Sequence, residues 1–152
     1  MTGIGEPAPA FSLRDQNRSV VNLEDFSGSP AVIVFMPLAF TSVCGGEMCE
    51  IRDNLGRLSS VDAHVAVITC DNVPTNKAWA ESERFGFPIL SDFWPHGAVT
   101  TAYGCFNERF GVAHRATFVV DGEGIVGDII STDALGEARP FGAYMDALAA
   151  LS

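Results

Sequence analysis

Positive charge is scarce in this chain. Nine Lys and Arg stand against nineteen Asp and Glu in 152 residues, a formal net charge of -10. A surface this acidic repels phosphate backbones and anionic headgroups at ordinary salt, so neither nucleic acid nor a membrane is expected as a partner. Long apolar runs are missing too. None approaches the roughly 18 residues that a membrane span needs, and the opening Met-Thr-Gly-Ile-Gly-Glu-Pro has neither a basic nor an apolar leader region. The cytoplasm is the expected location. No segment is repeated or biased in composition. No C-x-x-C occurs, and His64, His96 and His114 share no close ligand spacing with one another or with the cysteines. A metal site and a vicinal-dithiol reductase are therefore not expected.

What the chain does have is core-forming material. Its hydrophobic fraction is 47%, with eleven Phe, and a domain of this length buries roughly 68–70% of its unfolded surface. With no linker visible, residues 1–152 read as one domain. The four cysteines, at 44, 49, 70 and 105, suit free or redox-active thiols better than a disulfide framework when no secretion leader precedes them. Cys70 and Cys105 read as packing residues, with Cys105 the one more open to an alternative role as a resolving thiol. Trp79 and Trp94 read as packing aromatics.

Alternation and turn chemistry outline the elements. Phe11–Arg14 and Ser19–Leu23 read as short strands joined by the polar turn Asp15–Arg18. Ala31–Met36 and His64–Cys70 read as buried strands. Met48, Ile51, Leu55 and Leu58 recur at helical spacing, which predicts one helix from Val43 to about Leu58. Further helices are expected from Pro74 to Phe85, from Gly97 to Tyr103 and from about Arg139 to Leu151, with strands at Phe87–Ser91, Arg115–Val120 and Ile125–Ser131. Gly122-Glu-Gly124-Ile-Val-Gly127 satisfies G-x-G-x-x-G, but no helix follows it, so it reads as a hairpin turn and not a nucleotide cradle. Strands alternating with helices, then a hairpin, predict an α/β layer fold with a mixed central sheet, flanking helices and an N-terminal β-hairpin.

One segment carries chemistry. Pro37-Leu-Ala-Phe-Thr41-Ser-Val-Cys44 lies where a buried strand hands over to a helix. A cysteine in the first helical turn faces unpaired backbone N–H groups and the positive end of the helix dipole, and both favour thiolate. The Thr41 hydroxyl is placed to cap the helix or to orient a small polar substrate.

Pro37-x-x-x-Thr41-x-x-Cys44 resembles the peroxiredoxin signature, in which the last residue attacks peroxide. Glu47, Trp79, Phe87-Pro-Ile-Leu-Ser-Asp92 and Arg115 match in order along nearly the whole chain. Phe40-Thr41, Asp92-Phe-Trp-Pro-His-Gly-Ala98 and Tyr103-Gly-x-Phe-Asn107 are similar to the one-cysteine alkyl hydroperoxide reductase E group of actinobacteria. The resemblance implies a thioredoxin-like fold and a thiol-dependent peroxidase acting on hydrogen peroxide and organic hydroperoxides through a Cys44 sulfenic acid. It implies Thr41, Arg115 and the Cys44 N–H as donors along the reaction path, and Pro37 as a shield against bulk water. It also implies no bound cofactor, a homodimer, and an external thiol reductant: thioredoxin, a glutaredoxin- or mycoredoxin-like protein, or a low-molecular-weight thiol. Glu47 can serve the helix N-terminus or fix the arginine. A different class of function, a peroxide sensor or redox-regulated holdase, would use the same cysteine.

Cys49 departs from the one-cysteine pattern. Its spacing from Cys44 resembles the C-x-x-x-x-C of some bacterioferritin comigratory protein members, which form an intramolecular disulfide. On an intact α-helix these positions lie about 8.6 Å apart at Cα, whereas a disulfide needs less than about 7 Å. Bridging therefore requires unwinding, which Gly45-Gly46 makes easier. The other reading leaves Cys49 a buried helix residue and assigns resolution to an external thiol.

Overall fold

Alternate side chains of the run from Ala31 to Met36 leave for opposite faces of a sheet. Val32, Val34 and Met36 join one hydrophobic core, and Ala31, Ile33 and Phe35 join the other. His64–Thr69 does the same, with Val65 and Val67 on the first face and Ala66 and Ile68 on the second. Period-two sorting in fully apolar strands is what a sheet covered on both sides requires. The computed structural model describes residues 2–132 and 134–151, with Cys44 described by its backbone alone.

The chain opens with an antiparallel hairpin of β1 (Ser12–Arg14) and β2 (Val20–Asn22). Its turn is closed by the Asp15 carboxylate, which accepts the N–H groups of Asn17 and Ser19 at 2.8 and 2.9 Å. A 3₁₀ turn at Leu23–Phe26 leads to β3 (Ala31–Phe35), α1 (Ser42–Asp53), α2 (Leu55–Ser60), β4 (His64–Thr69) and α3 (Val73–Glu83). Then come β5 (Ile89–Ser91), α4 (Ala98–Ala102), a small hairpin of β6 (Phe106–Asn107) and β7 (Val112–Ala113), β8 (Ala116–Val120), β9 (Val126–Ser131) and α5 (Phe141–Ala150). The main sheet has the order β2-β1-β5-β4-β3-β8-β9. Its centre is parallel, β3 with β4 and β4 with β5, and its flanks are antiparallel. The expected mixed sheet with flanking helices is present.

The first core is roofed by Met48 and Ile51 of α1, Leu58 of α2, Trp79 of α3, and Phe141, Tyr144 and Leu148 of α5. The second is closed by Phe11, Tyr103 and Cys105, with Phe35, Phe118 and Tyr103 packed as tilted or edge-to-face rings at 5.0–5.8 Å. Among the described residues no helix is long and apolar enough to cross a membrane.

Three local expectations need correction. The helix expected to run unbroken to Leu58 breaks at Asn54, whose φ of -114° and ψ of 16° are not helical; its amide bonds back to Glu50 O at 2.8 Å, and the apolar spacing simply resumes in α2. The last helix starts at Phe141, with Pro140 in extended conformation before it. Trp94 does not pack: it is 83% exposed. In the Gly122–Gly127 hairpin only Gly124 has a positive φ among the three glycines. Gly127 is small because the Leu151 side chain would meet an added Cβ at 2.2 Å.

Candidate active site

β3 and β8 run antiparallel with Phe35 opposite Ala116. The residues just after β3 and just before β8 therefore meet, although 79 positions separate Met36 from Arg115. This pairing carries Arg115 to the loop that holds Pro37 and Thr41. Pro37, Thr41, Val43, Phe110, Arg115 and Leu135 line one cleft of about 430 Å³.

At the start of α1, Thr41 occupies the N-cap position with extended backbone (φ -93°, ψ 152°). The first helical bond runs from Gly45 N–H to Thr41 O at 2.8 Å. The N–H groups of Ser42, Val43 and Cys44 thus precede the helical ladder. Thr41 does not cap them; its hydroxyl donates to Leu38 O at 3.1 Å. Of the two roles open to this threonine, capping is not the one adopted. Cys44 sits third in α1 by its backbone, and its side chain lies outside the described residues.

Behind the cleft, Glu47 gathers two guanidinium groups. Arg115 donates Nη1 to Oε1 at 2.5 Å and Nε to Leu135 O. Arg139 donates its backbone N–H and Nε to Oε2 at 2.6 and 2.8 Å, and Nη2 to Oε1 at 3.0 Å. All three residues are buried. Arg139 also reaches Thr117 Oγ1 at 3.1 Å, and that hydroxyl donates to Tyr144 at 3.0 Å, so the cluster is tied to β8 and α5. Burial works to raise the Glu47 pKa, but the hydrogen bonds and charge of Arg139, with the charge of Arg115, outweigh it, and the net shift is downward. Of the two readings of Glu47, the geometry matches the one in which it fixes the arginine.

Arg139 was not among the expected site residues. Its one sequence signal is a charge immediately before Pro140 and an apolar helix, which is weak. Its importance comes from α5 folding back against β8, a long-range event.

Cys49 lies apart from the cleft. It is half-buried against the helical core, and its thiol donates to Glu83 Oε2 of α3 at 3.8 Å. Burial pushes its pKa up, with Glu83 and Asp53 acting in the same sense and Arg52 opposing. Because α1 is continuous from Ser42 to Asp53, a bond between Cys44 and Cys49 requires its first turns to unwind. Neither Gly45 nor Gly46 has an atom within 4 Å of where a Cβ would stand, so packing does not demand glycine at either place. Cys70 and Cys105 are buried, and desolvation pushes their thiols up to about 11 and about 12. Trp79 is buried as expected and meets the Phe40 ring at 6.2 Å.

Residues 4–129 match the AhpC/TSA family. The chain is 47% identical over 153 residues to alkyl hydroperoxide reductase E of Mycobacterium tuberculosis, covering all of this chain and 99% of that one. It is 33% identical over 126 residues to peroxiredoxin Bcp of Escherichia coli, covering 79% of this chain and 80% of that one. The crystal structure of peroxidoxin BcpB from M. tuberculosis superimposes with a TM-score of 0.83 at 32% identity, over 97% of this chain and 95% of that one. A thioredoxin-like α/β fold, an antiparallel contact that brings Arg115 to the Pro37–Cys44 loop, and these likenesses agree: the chain belongs to the AhpC/TSA family of peroxiredoxins.

Proposed function

We infer that this peroxiredoxin reduces hydrogen peroxide and organic hydroperoxides with Cys44 as nucleophile. The observation that supports it is the convergence of Pro37, Thr41 and Arg115 on one cleft at the N-terminal turn of α1. The Cys44 thiolate attacks one peroxide oxygen, an S–O bond forms as the O–O bond breaks, and the leaving alkoxide or hydroxide takes up a proton. Charge moves from sulfur to oxygen, and the Thr41 hydroxyl, the Arg115 guanidinium and the Cys44 N–H are donors suited to follow it. Arg115 stays charged throughout and holds its fork geometry through Glu47. Pro37 narrows the approach of bulk water.

Resolution follows by thiol attack on the sulfenic acid with loss of water. We assign this step to Cys49 after unwinding of α1 at Gly45-Gly46, which leaves an intramolecular disulfide for an external thiol to reduce. Thioredoxin, a glutaredoxin- or mycoredoxin-like protein and a low-molecular-weight thiol are all chemically competent donors. The whole of 1–152 serves as one peroxiredoxin domain in the cytoplasm, where the free thiols of Cys49, Cys70 and Cys105 are at home. Two copies pair through the apolar rim of the cleft. Phe110, 60% exposed, lines it, and the Phe93–His96 turn is joined to Gly111 by His96 Nε2 and Gly111 O at 2.7 Å.

The test is turnover. Sustained peroxide consumption with a dithiol donor, abolished by Cys44→Ser, is the expected result. Consumption of one equivalent with every donor, followed by silence, points instead to a sensor or holdase.

A further inference from the structure

The Pro37–Thr41 loop sets where α1 begins, and so where the donors of its first turn stand relative to Arg115. Reacting groups misplaced by 1 Å cost on the order of 10²-fold in rate, so what holds this loop matters. It carries a bulky residue, Phe40, at φ 65°, a conformation that persists only when the surroundings over-determine it. After Phe40 the constraint is the contact of its ring with Trp79. Before it, the Ala39 N–H donates to Asp71 Oδ2 at 2.9 Å. Among the described residues no other side chain accepts a backbone N–H of residues 37–41.

Asp71 is itself anchored. Its N–H donates to Thr69 Oγ1 at 3.2 Å, Thr69 donates to the buried Asn76 at 2.9 Å, and Ser91 Oγ donates to Asp71 O at 2.6 Å. The carboxylate is not occupied in starting α3, because Asn72 does that by accepting Thr75 N–H at 2.9 Å. Asp71 thus fastens the loop to the ends of two parallel strands, β4 and β5.

We propose that Asp71 is a positioning residue for peroxide reduction, holding the Pro37–Thr41 loop through the Ala39 N–H so that Thr41 and the start of α1 meet Arg115. The proposal rests on Cys44 as the nucleophile. The contribution is the acceptor and its anchorage, not the charge, since a negative group beside this loop opposes thiolate formation.

The experiment is single-turnover oxidation of the reduced full-length protein by hydrogen peroxide across pH, alongside alkylation by iodoacetamide. Alkylation needs a thiolate but not the Thr41–Arg115 geometry. Asp71→Ala is expected to lower the limiting oxidation rate constant about tenfold or more, with alkylation changed less than about threefold. Asp71→Asn, which keeps an acceptor oxygen, restores most of the loss. Asn72→Ala, which uncaps α3 in the same turn without touching the loop, oxidises as wild type. The idea is overturned if Asp71→Ala oxidises normally, if Asp71→Asn is no better than Asp71→Ala, or if Asn72→Ala is equally slow. Peroxide consumption persisting at the wild-type rate in Cys44→Ser overturns the nucleophile assignment and, with it, this role for Asp71.

Discussion

Arg139 grips Glu47 three times, through its backbone N–H, Nε and Nη2, at 2.6–3.0 Å. Two of these bonds take Oε2, and the third shares Oε1 with Arg115 Nη1, so the grip fixes the oxygen that Arg115 meets. Removing one partner of a buried charge cluster strands the others, at a cost of about 3–5 kcal/mol. Arg139→Met is expected to lose stability on that scale, read by denaturant unfolding. It should also slow Cys44 oxidation more than it slows iodoacetamide alkylation, because the orientation of Arg115 is lost along with the fold's margin. Normal stability and a normal oxidation rate in this variant would show that Arg115 holds its place unaided.

The same carboxylate gives stability a pH dependence. A folded-state pKa held below the ordinary glutamate value means that Glu47 stabilises the fold above that ordinary value, and that its contribution is lost as pH falls below it through the folded pKa. Wild-type unfolding midpoints should therefore drop steeply in acid below about pH 4.5. Glu47→Gln, already weaker at neutral pH, should show a shallower acid slope. Equal slopes would remove Glu47 from the account of acid sensitivity.

Gly45→Ala and Gly46→Ala test the unwinding step. Each alanine has room and should stabilise α1 by up to about 1 kcal/mol. If the helix opens before Cys49 can attack, the double variant should form the disulfide at least several-fold more slowly and accumulate more sulfinic acid, both visible by intact-mass analysis. Disulfide formation at an unchanged rate would mean that opening is not limiting. Persistent sulfenic acid in the wild type, with no bond between Cys44 and Cys49, would return resolution to an external thiol.

Substrate preference should follow the cleft wall. Leu38, Val43, Phe110, Val112 and Leu135 make it largely apolar, so bulky hydroperoxides gain contacts that hydrogen peroxide cannot make. Phe110→Ser is expected to reduce kcat/KM for cumene hydroperoxide several-fold while changing that for hydrogen peroxide little. A parallel fall for both substrates would indicate loss of general geometry instead.

The exposed rim offers the last test. Trp94→Glu places a charge on the side chain that the fold exposes most among the large apolar ones, and it should shift the proposed dimer to monomer in sedimentation analysis without loss of helix content. Wild-type protein sedimenting as a monomer would exclude the homodimer.

Much of the site was visible before the fold because its information is local. Pro37, Thr41 and Cys44 sit within one strand-to-helix junction, and the apolar strands announce themselves by composition. Arg115 needed the family resemblance, since only the β3–β8 pairing explains its proximity. Arg139 and Asp71 were missed for a related reason: each acts across elements that are distant in sequence, and each is an ordinary charged residue beside a turn. Trp94 failed in the opposite direction. Large aromatics usually bury, but this one lies in a turn whose neighbours Phe93, Pro95 and His96 are also exposed.

The Phe40–Trp79 contact has an optical consequence. Phe40 immediately precedes Thr41, the N-cap of the helix that carries Cys44, and Trp79 is sealed in the core while Trp94, the protein's other tryptophan, stands in water. With Trp94 replaced by Phe, the remaining indole becomes a built-in reporter of the thiol loop. Each oxidation that opens α1 should be readable as a change in emission, with no label attached.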